Sequence, residues 1–138
     1  TSLQHLSVAE CSLTGEAISQ IKPGDWPHLQ KMKMTGNNLS DDPVGSMKGM
    51  LHLTSLQELY VGYCGLTGEA VSQIKPGDWP HLQQLSLCSN DLKDDKEGAK
   101  KGLLHFTSLH SLGIWSCGWN REDINEICRA VGVKPRYV

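Results

Sequence analysis

No stretch of this 138-residue chain approaches the roughly 20 consecutive apolar residues that a membrane-spanning helix needs. The sequence therefore carries no candidate bilayer span, and no signal peptide stands ahead of its first patterned segment. It also lacks an excess of charge of either sign: 13 Lys and Arg against 15 Asp and Glu give −2 at neutral pH, and the isoelectric point is near 6.3. That balance gives no general electrostatic case for nucleic acid or an anionic membrane as partner, and only local patches remain open. The five cysteines make no C-x-x-C pair and hence no zinc site. Glycine-rich phosphate loops, nucleophile motifs and paired catalytic carboxylates are missing, which sets direct catalysis aside. The six histidines do not reverse this, because His28 and His81, like His52 and His105, are one position of a repeated text. No cofactor is implied.

What the chain has is a spacing. Leu56, Leu59, Val61, Cys64 and Leu66 write L-x-x-L-x-V-x-x-C-x-L. The same spacing returns as Leu3, Leu6, Val8, Cys11 and Leu13, then as Leu29, Met32, Met34, Asn37 and Leu39. It returns again as Leu82, Leu85, Leu87, Asn90 and Leu92, and finally as Leu109, Leu112, Ile114, Cys117 and Trp119. The units start near residues 3, 29, 56, 82 and 109, so their first leucines are 26, 27, 26 and 27 residues apart. A period of that length marks a stack of short units, none able to bury its apolar face alone. Between the second and third apolar positions the residues alternate in and out as a short strand. Three positions on, Asn or Cys turns the chain inward, where a buried amide or, more weakly, a thiol satisfies backbone groups that no ladder reaches.

With Cys11, Cys64 and Cys117 at that turn position, the thiols belong to the core, which points to a reduced, cytoplasmic protein rather than a disulfide framework. Cys88 follows a strand leucine and Cys128 falls in the last helical segment. The sequon Asn38-Leu39-Ser40 spans a core leucine and is read as accidental.

Units alternate in kind, and the true period is 53 residues: residues 1–30 and 54–83 are identical at 24 of 30 positions, the mark of an internal duplication. In the first kind, Ala17, Ile18 and Ile21 share one face of a short helix with Thr14 as N-cap. Lys22-Pro23-Gly24-Asp25 ends it, and Trp26, like its copy Trp79, is expected to cover the lower edge of the core. In the second kind, Asp41-Asp42 and Asp94-Asp95 open a helix, with Asp94 and Glu97 at capping-box spacing. Met47, Met50 and Leu51 correspond to Lys100, Leu103 and Leu104 as the inward face, and Gly45, Gly49, Gly98 and Gly102 permit close packing. The run Lys96 to Lys101 reads as a solvated outer face.

A C-terminal cap spans residues 120–138. Asn120, with Asp123 three residues on, caps a helix presenting Ile124, Ile127, Cys128 and Val131 inward, and Gly132 stops it. Because the chain opens inside its first unit with no capping segment, it is expected to be a piece of a longer protein, its 138 residues forming one domain.

The motif L-x-x-L-x-L-x-x-[NC]-x-L resembles the leucine-rich repeat over essentially the entire chain. Units of 26 to 27 residues with a helical segment and alternating Asn and Cys look like the ribonuclease-inhibitor type. The wording of Leu66-Thr-Gly-Glu-Ala-Val and Leu39-Ser-Asp-Asp is similar to the repeat regions of intracellular nucleotide-binding leucine-rich-repeat receptors of innate immunity. The resemblance implies an α/β, right-handed curved solenoid of about five repeats, with parallel strands on the concave face and helices on the convex face.

Strand alternation then assigns the concave positions. They are His5, Ser7, Ala9 and Glu10; Lys31, Lys33, Thr35 and Gly36; Glu58, Tyr60, Gly62 and Tyr63; Gln84, Ser86, Cys88 and Ser89; and Ser111, Gly113, Trp115 and Ser116. Of the six mismatches between residues 1–30 and 54–83, four fall on these positions, whereas the exposed stretch Ser19 to Asp25 is unchanged. Drift at unconstrained solvent positions would give the same differences, but it should also have touched that loop. The candidate ligand-binding residues are therefore His5, Ser7, Glu10, Lys31, Lys33, Glu58, Tyr60, Tyr63, Gln84, Ser86, Ser111 and Trp115, which supply the aromatic anchors and charges that protein interfaces favour.

The reading is a non-enzymatic module that binds a protein or peptide, the sensor part of an innate-immune receptor. A glycan ligand stays open, and nucleic acid is disfavoured by charge. The alternative is regulatory, with the repeats holding an attached or partner NTPase module inactive. Action on a GTPase would need a donated arginine, and Arg121, Arg129 and Arg136 all lie in the terminal cap.

Overall fold

The structure, a computed structural model, describes residues 3–137. Its elements are β1 (His5–Ser7), α1 (Gly15–Ser19), β2 (Lys31–Lys33), α2 (Pro43–Leu51), β3 (Glu58–Tyr60) and α3 (Gly68–Val71). There follow β4 (Gln84–Ser86), a 3-10 turn (Lys93–Asp95), α4 (Lys96–Leu103), β5 (Ser111–Gly113) and α5 (Arg121–Val131). The strands form one parallel five-stranded sheet in chain order. This is the stack of short units that the spacing predicts and the α/β solenoid that the resemblance implies. Met32, Leu59, Leu85 and Leu112 stand level in the sheet and are buried, and the intervening residues face away from the core.

Buried amides tie unit to unit. Asn90 Oδ1 accepts from the backbone of Cys64 at 3.0 Å and Leu66 at 2.9 Å, while its Nδ2 donates to Val61 O at 2.9 Å and Leu87 O at 2.8 Å. Asn37 repeats the pattern with Cys11, Leu13, Val8 and Met34. In the other kind of unit a thiol does less: Cys64 Sγ donates toward Met34 O at 3.3 Å and Cys117 Sγ toward Leu87 O at 3.1 Å. Burial pushes both thiols up, Cys117 to about 12, so each keeps the proton that it donates. All five cysteines are free thiols. Cys11 is exposed, contrary to expectation. Among the described residues no unit lies before it, and its Sγ reaches only Ala9 O. Ala17 is exposed for the same reason, whereas its copy Ala70 is fully buried.

The helices explain why units come in pairs. A Cβ at Gly49 would stand 2.2 Å from Ile18 O, and one at Gly102 would stand 2.4 Å from Val71 O, so only glycine lets α1 meet α2 and α3 meet α4 so closely. Thr14 and Asn120 cap α1 and α5 as expected, Thr67, the copy of Thr14, caps α3, and Asn120 with Asp123 completes a capping box. Trp79 is buried at the core's edge, donates to Met50 O at 2.9 Å and stacks on Phe106.

The expected capping box at Asp94 and Glu97 does not form. Asp42 and Asp95 cap α2 and α4, and the aspartate before each reaches sideways to the preceding helix. Asp41 accepts from Gly15 N at 2.7 Å and Glu16 N at 3.0 Å, and Asp94 accepts from Gly68 N at 2.7 Å and Glu69 N at 3.1 Å. Those backbone donors hold the Asp41 carboxyl below the usual range. Two of the inward leucines also differ from expectation, Leu51 being half-buried and Leu104 exposed.

The run Lys96 to Lys101 is not a solvated outer face throughout. Lys100 is 6% exposed, and its Nζ reaches Asp123 Oδ1 at 2.7 Å and Glu126 Oε1 at 3.0 Å, with Lys96 Nζ 3.4 Å from Asp123. Met47 in the equivalent place meets another repeat, while Lys100 meets the acidic face of α5. Burial alone would raise the Asp123 carboxyl, but Lys100, the Asn120 N–H and Lys96 outweigh it and hold it low. The Asp123 contact in turn raises Lys100.

Asn90→Ala strands four buried backbone groups and is expected to cost about 3 kcal/mol, read as a fall in urea midpoint at unchanged slope. Lys100→Met copies the sister unit and leaves Asp123 with Lys96 as its one basic partner, an expected loss of about 2 kcal/mol at pH 7. Because the native Asp123 carboxyl is held low, its contribution is present above the ordinary carboxylate pKa of about 3.9 and fades as pH falls through the native value. The urea midpoints of parent and Lys100→Met should therefore converge in acid; equal midpoints at pH 7 would show the pair to be inert.

Candidate functional site

Sheet register gathers most of the candidate residues into rows. His5, Lys31, Glu58, Gln84 and Ser111 stand level in one, and Ser7, Lys33, Tyr60, Ser86 and Gly113 in the next. Beyond the strands the ladder bonds continue, with Glu10 N donating to Thr35 O, Gly36 N to Gly62 O, Tyr63 N to Cys88 O and Ser89 N to Trp115 O. Glu10, Gly36, Tyr63, Ser89 and Ser116 all take positive φ, between 53° and 84°. This left-handed residue ends each strand run and starts the inward turn, and it holds the side chains of Glu10 and Tyr63 in solvent. Tyr63 is 69% exposed, the most exposed large apolar group among the described residues.

Within the rows the chemistry divides in two. The half made by β1 to β3 is charged. His5, Ser7 and Lys33 are exposed, and Lys31 Nζ lies 3.7 Å from Glu58 Oε1. His5, Ser7, Lys31 and Lys33 border a shallow hollow of about 180 Å³. The half made by β3 to β5 is aromatic and hydroxylic. Tyr60 Oη donates to Glu58 Oε1 at 2.6 Å and lies 2.9 Å from the Gln84 amide. Burial, then the Glu58 bond and charge, pushes the Tyr60 hydroxyl up to about 12, so it is a neutral donor throughout the physiological range.

A second hollow of about 300 Å³ lies between Tyr60 and Trp115, with Gln84, Ser86, Ser111 and Gly113 in its lining. Gly113 makes the space: a Cβ there would stand 2.7 Å from Cys88 Sγ, 3.2 Å from Ser86 Oγ and 3.3 Å from the Trp115 ring. Cys88, assigned to the concave surface by alternation, does lie on that face, with Ser86 Oγ 3.4 Å from its sulfur, but it is covered there and not open to solvent. Arg136 also lines this hollow. The sequence places it only in the terminal cap, because nothing in a short polar tail says where it folds. The tail is held by the Arg121 guanidinium 4.5 Å from the centre of the Tyr137 ring and by the Tyr137 hydroxyl donating to Asn125.

The structure also alters the comparison between the duplicated copies. The unchanged loop Ser19 to Asp25 is not free to drift. Asp25 Oδ2 accepts from Lys22 N at 2.8 Å, Gly24 sits at φ 90°, and Asp78 and Gly77 repeat both features. The contrast between a changing face and a constant loop therefore has a backbone cause as well as a functional one.

Among the described residues no three His, Cys, Asp or Glu side chains gather as a metal site, and no helix is long and apolar enough to cross a membrane. Compared with known proteins, residues 52–74, which span the third unit's motif and its helix, match the family described as Leucine Rich repeat. Among solved structures the chain is similar to the tropomodulin C-terminal domain from Caenorhabditis elegans, with a TM-score of 0.70 and 16% identity over 96% of this chain and 84% of that one. At that identity the likeness shows the fold alone. No curated protein sequence matches. The matched repeat, the parallel sheet and the structural likeness make the fold a leucine-rich-repeat solenoid.

Proposed function

We propose that this chain is a non-enzymatic module that captures a protein or peptide on its concave strand face, and that it works as the cytoplasmic sensor part of an innate-immune receptor of the nucleotide-binding, ribonuclease-inhibitor-like kind. A leucine-rich-repeat fold supports protein interaction in general. The observation that carries the concave face is the placement of the differences between duplicated copies. His5 against Glu58 and Ser7 against Tyr60 are level positions of one solvent-facing surface, while Leu3, Leu6, Val8, Cys11 and Leu13 are kept as Leu56, Leu59, Val61, Cys64 and Leu66. Half-buried aromatic side chains beside paired charges are the composition of interface anchors. The receptor class rests on the wording of the units, and the cytoplasmic compartment on the use of Cys64 and Cys117 as buried hydrogen-bond donors.

Peptides selected from a random display library on the intact chain provide the probe. Changing Lys33, Tyr60 and Tyr63 together to Ala should weaken their binding at least tenfold, or about 1.4 kcal/mol, while Lys48→Ala and Lys101→Ala on the helical side leave it unchanged. Unaltered affinity for the triple variant, with its urea midpoint preserved, would move the site off the concave face.

A further inference from the structure

The hollow between Tyr60 and Trp115 has a chemistry of its own, and we propose that it seats a carboxylate of the bound peptide, either an Asp or Glu side chain or a free C-terminus. The inference rests on the concave-face reading and specifies what that face selects.

Arg136 is the charged group that lines this hollow. Among the described residues the ion pairs belong to Lys31, Lys96 and Lys100, and Arg136 has no carboxylate of its own. Its planar fork of N–H donors matches a carboxylate in a two-point contact that an ammonium cannot reproduce. The nearest acid on the strands does not compete: Glu58 is absent from the lining, and its Oε1 is already engaged by the Tyr60 hydroxyl at 2.6 Å and by Lys31 at 3.7 Å. Ser86 and Ser111 stand in the lining as further hydroxyl donors, and Ser86 is otherwise committed only to the weak acceptor Cys88 Sγ at 3.4 Å.

Size and walls agree with this occupant. About 300 Å³ is the lower end of the range for small-molecule clefts, enough for a side chain or a chain terminus and small for a cofactor. Tyr60 and Trp115, both half-buried, offer ring surface to the methylene part of a Glu or to the last side chain of a peptide. The bare Gly113 keeps the floor open, and a side chain there would strike the Cys88 sulfur and the Trp115 ring. Because the whole chain carries −2, the attraction for an anion is local to this hollow and not a property of the surface at large.

The test uses the display-selected peptides on the intact chain, each synthesised as free acid, as C-terminal amide, and with each Asp or Glu changed to Asn or Gln. One of these changes should weaken binding at least tenfold: loss on amidation assigns the terminus, and loss on acid-to-amide substitution assigns the side chain. Arg136→Ala should cause a loss of the same size, Arg136→Lys an intermediate one, and in the Arg136→Ala background the neutralised peptide should bind no worse than the acid. Arg136 is exposed, so the urea midpoint of both variants should match the parent. Peptides that depend on Lys33, Tyr60 and Tyr63 but not on Arg136 or on their own carboxylates would overturn this inference and leave the concave-face reading standing. Peptides indifferent to all four residues would overturn both.

Discussion

The stack depends on the satisfaction of backbone groups at the inward turn. After each three-residue strand the chain must leave the sheet and enter the core, and there its N–H and C=O groups have no ladder partner and no water. Asn90 meets four such groups at once, one on its own unit and three on the unit before, and so joins units three and four as well as closing the turn. Cys64 and Cys117 offer one weak donor each, and at Cys64 the Asn90 amide of the next unit takes up the turn's N–H groups. Alternation of Asn and Cys is thus a division of labour between neighbours, and the 53-residue period is its trace in the chain.

The same pairwise logic governs the convex side. Asp41 and Asp94 leave their own helices to the next aspartate and cap the helix of the preceding unit, and Gly49 and Gly102 let the helix backbones of a pair touch. Only at the end of the stack does the pattern change. There α5 replaces a repeat, and the position that Met47 fills with a thioether is filled by Lys100 facing Asp123 and Glu126. A charge is tolerated at that buried place because both of its acids arrive with the same helix.

Much of the fold was legible in the residues. Leucine spacing, the Thr14, Thr67 and Asn120 caps, the breaks at Pro23 and Pro76, and the turn amides are local signals, each readable within a few positions. The concave rows were legible too, since period-2 alternation follows from strand geometry. Alternation puts Cys88 on the same face as Ser86, but it could not foresee that the side chain is covered there rather than open to solvent. It also could not weigh Gly113, whose importance is the space it leaves, or Arg136, whose place depends on how Tyr137 packs against α5.

By itself the sequence determined the unit, its period, the alternation of its kinds and the set of side chains that face the solvent side of the sheet, because these follow from local periodicity and the valence of Asn, Cys and Gly. Tertiary structure decided what identical text becomes in different company. Ala17 and Ala70, or Cys11 and Cys64, share their local sequence and differ in burial, because among the described residues only the later copy has a unit stacked before it. It also decided which of the concave positions cooperate. Lys31, Glu58, Tyr60 and Gln84 come from three separate units and meet only through the register of the sheet, and Arg136 joins them only because the chain turns back after α5.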